Sequence, residues 1–190
     1  MAKQGALLCQ NWPGFGKINP DHYFAASDLP GNAQVNGMIT FHFACYGAGT
    51  PANDRYLHQP GVPPPKIADK PFHAALPKAL LARGALAAIG HVERAWGYSI
   101  STPEAGAQID PFRTTIECIL GGLPVGYAVK DFNMRYAILS ASLNALIETK
   151  SIGGMISDEE LAANWVERND SEGYIIIGDP AVHLRSELLE

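Results

Sequence analysis

Two short apolar segments, separated by a long loop and a helix, constrain the fold of this chain more than any other feature. Residues 38–45, MITFHFAC, are β-branched and aromatic with almost no polar residue, which is typical of a strand buried on both faces of a parallel sheet. Residues 86–93, LAAIGHVE, have the same character, and apolar residues recur at helical spacing over 72–83. A strand, a helix and a second strand in this order predict a βαβ unit, and therefore an α/β fold.

The remainder of the chain predicts further elements of both kinds. A small helix is expected over 109–120, and Pro124 is well placed in the first turn of a long helix. Ser157 and Glu160 form a capping box, so another helix begins there. YIIIG at 174–178 is a short apolar strand that ends at Asp179.

Composition excludes several classes of protein. The chain has 190 residues, and its 14 basic and 19 acidic residues leave a net charge of −5, so no basic surface for nucleic acid is expected. No apolar stretch approaches the roughly 18 residues that a membrane-spanning helix needs. The length and the 47% of hydrophobic residues predict a single domain over residues 1–190. The odd number of cysteines, three, favours a reducing compartment, the cytoplasm.

Cys45 is the most suggestive of the three thiols. It ends the first predicted strand, where it would share one face with Ile39, Phe41 and Phe43, and a glycine-rich loop follows it directly. Ligands bind at this carboxyl edge in open α/β sheets, so Cys45 is a candidate nucleophile. The alternative is that Cys45 is simply a small buried hydrophobic residue, as most free cysteines are.

A thiol nucleophile needs a base, and no histidine is singled out by its spacing. His91 ends the second strand and is a weak candidate, although a buried structural histidine explains it equally well. His22 and His58 lie in loops. His42 and Cys45 would point to opposite faces of the strand, so no metal site is expected, and no motif predicts a cofactor.

Four segments, in order, resemble the caspase-like superfamily of cysteine peptidases, and in particular CHAT domains and gingipain-type peptidases. They are FHFACYGAGTPANDRY, FHAALPKALLARGALAAIGHVERAW, GLPVGYAVKDFN and YIIIGDPAVHL, and together they cover about residues 37–185. The resemblance implies a three-layer α/β/α sandwich with a mainly parallel sheet. It also implies hydrolysis of peptide bonds by a Cys-His dyad.

The resemblance assigns Cys45 as the nucleophile and the backbone N–H groups of Tyr46 and Gly47 as oxyanion donors. It places the histidine in a His-Gly pair on a strand before the cysteine strand, and no such pair precedes Cys45. We therefore expect one of two situations: the histidine strand lies outside this chain, or the chain is a degenerate member that binds proteins, as one domain of a larger protein, without cleaving them. On either interpretation this chain alone is expected to be a poor peptidase.

Two further residues are candidates for substrate binding. Many relatives cleave after Arg or Lys, and Asp54 would then pair with the substrate's cation, although an Asp that stabilises a turn is the simpler interpretation. Trp96 would form a pocket wall, or else the edge of the core. The expected partner is a peptide or protein substrate.

Overall fold

The computed structural model describes residues 3–56, 61–97, 100–102 and 106–185. These residues form short strands and helices in the following order: β1 Leu7–Leu8, β2 Tyr23–Phe24, β3 Ile39–His42, β4 Gly49–Thr50, β5 Phe72–His73, α1 Ala75–Leu81, β6 Ala87–His91, β7 Ser101–Thr102, β8 Gly106–Ala107, α2 Asp110–Leu120, α3 Val125–Ala128, α4 Lys130–Ser151, α5 Asp158–Glu172 and β9 Tyr174–Gly178. The chain combines helices with small mixed sheets, which agrees with the α/β class predicted.

The chain divides into two compact units. The first unit contains the described residues of Met1–Arg94 together with Ile175–Asp179, and the second contains those of Ala95–Tyr174 and Pro180–Glu190. Strand β9 therefore brings a late part of the chain into the first unit. The single domain expected over 1–190 stays a prediction.

A three-stranded sheet in the order β3-β6-β9 is the centre of the first unit. Strands β3 and β6 are parallel and in register from Ile39 opposite Ala87 to His42 opposite Gly90. Every residue of β6 is buried, as a central strand requires. This pairing confirms the predicted βαβ unit, with α1 as the crossover helix.

Helix α1 packs on this unit through a small apolar core. Leu76 and Leu80, one helical turn apart, are buried in a cluster with Leu29, Val35 and Ala85. Pro77 lies in the first turn of α1, where its missing N–H costs no helical hydrogen bond. The helix is shorter than the predicted 72–83, because Phe72 and His73 instead pair with β4.

The first predicted strand is also shorter than expected. Strand β3 ends at His42 rather than Cys45, and Phe43 is exposed. The alternation that placed Phe43 and Cys45 on one face with Ile39 was therefore wrong for its last three residues. The physical reason is that the chain turns back at residues 44–47 to bond with the segment after β6, which ends the extended conformation.

Helices α2 to α5 make up most of the second unit. Helix α2 confirms the small helix predicted over 109–120, and α3 with α4 confirms the long helix after Pro124, interrupted at Val129. The predicted start of α5 is confirmed, with Ser157 as its N-cap, since the Ser157 hydroxyl oxygen accepts from the backbone N–H of Glu160 at 3.1 Å. None of the helices in the described part of the chain is long and apolar enough to cross a membrane.

An aromatic cluster and an arginine hold these helices together. Phe132 of α4 stacks on Tyr174 with ring centroids 4.3 Å apart, and Phe112 of α2 meets both rings edge-on. Arg168 of α5 donates to the hydroxyl of Tyr136 on α4 and lies over its ring. The predicted strand YIIIG is confirmed as β9.

We expect Gly90→Ala to destabilise the first unit. A Cβ at residue 90 would lie 3.2 Å from the Cβ and N of Ala48 and 3.3 Å from the Cβ of His42, so the core must shift, at a cost of about 1 to 3 kcal/mol. Gly31→Ala is the matched control, because nothing lies within 4 Å of its Cβ position and its φ is not positive. Urea unfolding of both variants measures the difference, and equal stability would contradict the close packing of β3 on β6.

Candidate functional site

Cys45 lies in a tight turn directly after β3, at the carboxyl end of the parallel strand pair. The N–H of Gly47 donates to the carbonyl oxygen of Ala44 at 3.0 Å, which closes the turn around Cys45 and Tyr46. We call residues 44–47 the Cys45 turn. The Cys45 side chain is exposed, so the thiol is accessible from solvent and is not the buried hydrophobic residue that the alternative interpretation required.

The Cys45 turn and the residue that follows it are hydrogen-bonded to the end of β6 and to the segment after it. The N–H of Tyr46 donates to the carbonyl oxygen of Glu93 at 2.7 Å, and the N–H of Ala48 donates to that of His91 at 3.0 Å. The side-chain amide of Gln4 also reaches the carbonyl oxygen of Tyr46, at 3.4 Å. Backbone hydrogen bonds on both sides therefore fix the position of Cys45.

Tyr46 adopts an unusual backbone conformation next to the thiol. Its φ of 57° is in the left-handed region, and no other non-glycine residue in the described ranges has a positive φ. That conformation costs a residue with a Cβ roughly 1 to 2 kcal/mol, and such strain is concentrated at functional sites. The pKa of Tyr46 is raised, chiefly by burial; Arg94 opposes the rise, while Asp54, Glu93 and Cys45 add to it. The phenol is thus held neutral, among charged groups and the thiol.

His91 lies at the end of β6, as predicted, but its hydrogen bonding argues against a role as base. Its side chain is fully buried, and its Nδ1 accepts from the backbone N–H of Glu93 at 3.0 Å. In the neutral ring the proton therefore sits on Nε2, so neither nitrogen offers a lone pair to a thiol proton. This arrangement fits the structural alternative better than the catalytic one.

Asp54 is not open to a substrate cation, because an arginine of the chain already occupies it. Its carboxylate is 1% exposed and accepts both Nη1, at 2.7 Å, and Nη2 of Arg94. It also accepts from the backbone N–H of Tyr56 at 2.9 Å. The ion pair ties the loop after the Cys45 turn to the end of β6.

The remaining predicted site residues are placed as follows. The N–H groups of Tyr46 and Gly47, the expected oxyanion donors, both already donate to backbone carbonyls, so an oxyanion would have to displace Glu93 or Ala44 from them. Trp96 belongs to the second unit, where its backbone N–H donates to Asp170 at 2.8 Å. Its role in substrate binding stays a prediction.

His42 lies buried below the Cys45 turn. Its Nε2 is 3.0 Å from the hydroxyl of Thr40, and its Nδ1 has no hydrogen-bond partner among the described residues. Burial lowers its pKa, so the ring is neutral. In the described part of the chain no three His, Cys, Asp or Glu side chains come together as metal ligands.

Arg94 and Glu93 are the residues of this site that sequence reasoning missed. Glu93 is 3% exposed, and its carbonyl holds Tyr46, while Arg94 neutralises Asp54 across forty positions of sequence. The one signal in the sequence was the adjacent acidic and basic pair that follows the apolar segment of β6. Burying a charge at such a position without a partner would cost free energy.

Comparison with known proteins gives no relative for this chain. No protein-family model, no curated protein and no solved structure matches it.

Asp54→Asn tests the ion pair. Losing the charged hydrogen bonds to Arg94 is expected to cost about 1 to 3 kcal/mol, since a buried partner is removed. Asp69→Asn is the control, because Asp69 pairs with Lys66 at 3.0 Å on the exposed surface, where a pair contributes about 0 to 1 kcal/mol. Chemical denaturation of both variants measures the free energy of unfolding, and an equal loss of stability in the two would contradict the structural role of the Asp54 pair.

His42 makes stability depend on pH. Because its folded pKa lies below the ordinary 6.5, the unfolded chain binds the proton first as pH falls. Its stabilising contribution is therefore complete above pH 6.5 and is lost as pH falls through the folded pKa. His42→Gln should flatten this decline, measured by urea unfolding between about pH 5 and 7.5. The exposed His73→Gln is the control, and an unchanged decline in His42→Gln would exclude His42 as its source.

Proposed function

We propose that this chain is a cysteine hydrolase domain of the caspase-like class, of the CHAT or gingipain type, with Cys45 as the nucleophile and peptide bonds as the substrate. The observation that carries the proposal is the position of Cys45, an exposed thiol in a hydrogen-bonded turn just beyond the carboxyl end of β3, which pairs in parallel with the buried strand β6. The four motifs that resemble this superfamily support it, and they imply the three-layer α/β/α sandwich as its fold.

The proposed chemistry proceeds through an acyl-enzyme. The Cys45 thiolate attacks the peptide carbonyl carbon, the C–N bond breaks, and the amine leaves with a proton. Water then hydrolyses the thioester, which releases the carboxylic acid and regenerates the thiol. Because His91 uses its Nδ1 lone pair on Glu93, the proton transfers need another histidine; the resemblance places it in a His-Gly pair, which does not occur before Cys45 in this chain.

A second candidate is a protein-interaction module that keeps the fold without catalysis. The hydrogen bonds that already occupy the N–H groups of Tyr46 and Gly47 favour it, because they leave those donors unavailable to an oxyanion. On this hypothesis Cys45 has no greater reactivity than any other exposed thiol.

Covalent labelling distinguishes the two candidates. A mixture of peptidyl acyloxymethyl ketones with Lys, Asp and Leu next to the reactive group is expected to alkylate Cys45, forming a thioether as the carboxylate leaves. We expect Cys45 to react at least about tenfold faster than Cys9, which is also exposed and is the internal standard. Peptide mapping by mass spectrometry locates the adduct.

Two variants serve as controls for the labelling. Cys45→Ser should abolish the fast reaction, and Cys9→Ser should leave it unchanged. Equal reaction of Cys9 and Cys45, or no adduct on Cys45, would reject the peptidase and leave the interaction module.

A further inference from the structure

The first unit contains an apolar cleft that is lined in part by residues that follow the Cys45 turn in sequence. It has a volume of about 280 Å³, and we call it the Phe72 cleft. Its walls are Gly49, Thr50, Pro51, Pro71, Phe72, His73, Val92 and Ile175. None of the described residues that line it is acidic, and its surface is mostly carbon.

Two segments that adjoin the Cys45 turn or bond to it contribute residues to the Phe72 cleft. Strand β4 begins two residues after Gly47, and it contributes Gly49 and Thr50 to the cleft. Val92 lies between His91 and Glu93, the two residues whose carbonyl oxygens hold Ala48 and Tyr46. Gly49, Thr50 and Val92 therefore belong to the same segments as the backbone groups that position Cys45.

None of the described residues of the Phe72 cleft could form an ion pair with a basic substrate side chain. Asp54, the acid that would recognise it, is buried and spends both carboxylate oxygens on Arg94. Placing a substrate cation beside it would require Arg94 to leave, and the charge of the pair is already balanced. Of the described residues that line the cleft, only His73 is titratable, and His73 is exposed.

The size and polarity of the cleft fit one apolar side chain attached to a peptide. Its volume of about 280 Å³ lies just below the roughly 300 to 1,000 Å³ of pockets for small ligands, so it suits a side chain better than a whole cofactor.

We propose that the Phe72 cleft is the specificity pocket of this domain and that it takes an apolar side chain, such as Leu, Met or Phe, of a peptide bound at Cys45. The proposal rests on the proposed function and deepens it, since it names the substrate class. On this proposal the substrate presents an apolar side chain, and not the basic one that would have paired with Asp54.

Matched acyloxymethyl ketones test the proposal on the whole chain. Probes that differ only in having Leu, Phe or Lys next to the reactive group are compared for their rates of Cys45 alkylation. We expect the Leu and Phe probes to react about 10- to 100-fold faster than the Lys probe, the range that an apolar pocket supplies. A faster Lys probe would overturn the apolar pocket while leaving Cys45 as the nucleophile.

Filling the cleft gives the second measurement. Val92→Phe should slow the Leu probe at least about tenfold, while Val62→Phe, on an exposed loop outside the cleft, should not change its rate. Iodoacetamide, which needs no pocket, should alkylate Cys45 equally in both variants and so shows that the turn is intact. An unchanged Leu rate in Val92→Phe would overturn the proposal, whereas failure of every ketone to label Cys45 would instead reject the proposed function.

Discussion

The parallel pairing of β3 with β6 is the constraint on which the rest of the first unit depends. It brings two apolar segments, separated by more than forty residues, into register from Ile39 to His42. Because both strands run in the same direction, the chain leaves each of them at the same edge, and the two exits can bond to each other. The hydrogen bonds from the N–H of Tyr46 to the carbonyl of Glu93, and from the N–H of Ala48 to that of His91, follow from this arrangement. They determine where Cys45 lies.

The periodic features of the chain were the predictable ones. Apolar composition located the two strands and the crossover helix, and the capping pattern at Ser157 located the start of α5, because these depend on neighbours a few residues away. The end of β3 was not predictable in this way. Strand propensity continues through Phe43 and Ala44, but the N–H groups beyond them pair with carbonyls after β6, and a local pattern carries no information about that partner.

The candidate site, too, could be predicted from the sequence only in part. The chain position of Cys45 at the end of an apolar segment was sufficient to single it out. Its electrostatic surroundings were not, because Asp54 and Arg94 are far apart in sequence and meet only when the loop after the Cys45 turn folds back on the end of β6. An isolated Asp in a loop predicts a solvated carboxylate, whereas the folded chain buries it in a two-pronged ion pair.

Rigidity and catalysis make opposing demands on the Cys45 turn. Every backbone bond that fixes Tyr46 and Gly47 also occupies a donor that an oxyanion would use. A glycine at residue 46 would remove the strain of its positive φ, yet the chain has a tyrosine there, whose neutral phenol lies among Arg94, Asp54, Glu93 and the thiol. A protonated phenol is itself a hydrogen-bond donor. The strained backbone thus holds the Tyr46 phenol near the Cys45 thiol, while the main-chain N–H groups of Tyr46 and Gly47 are used to hold the turn.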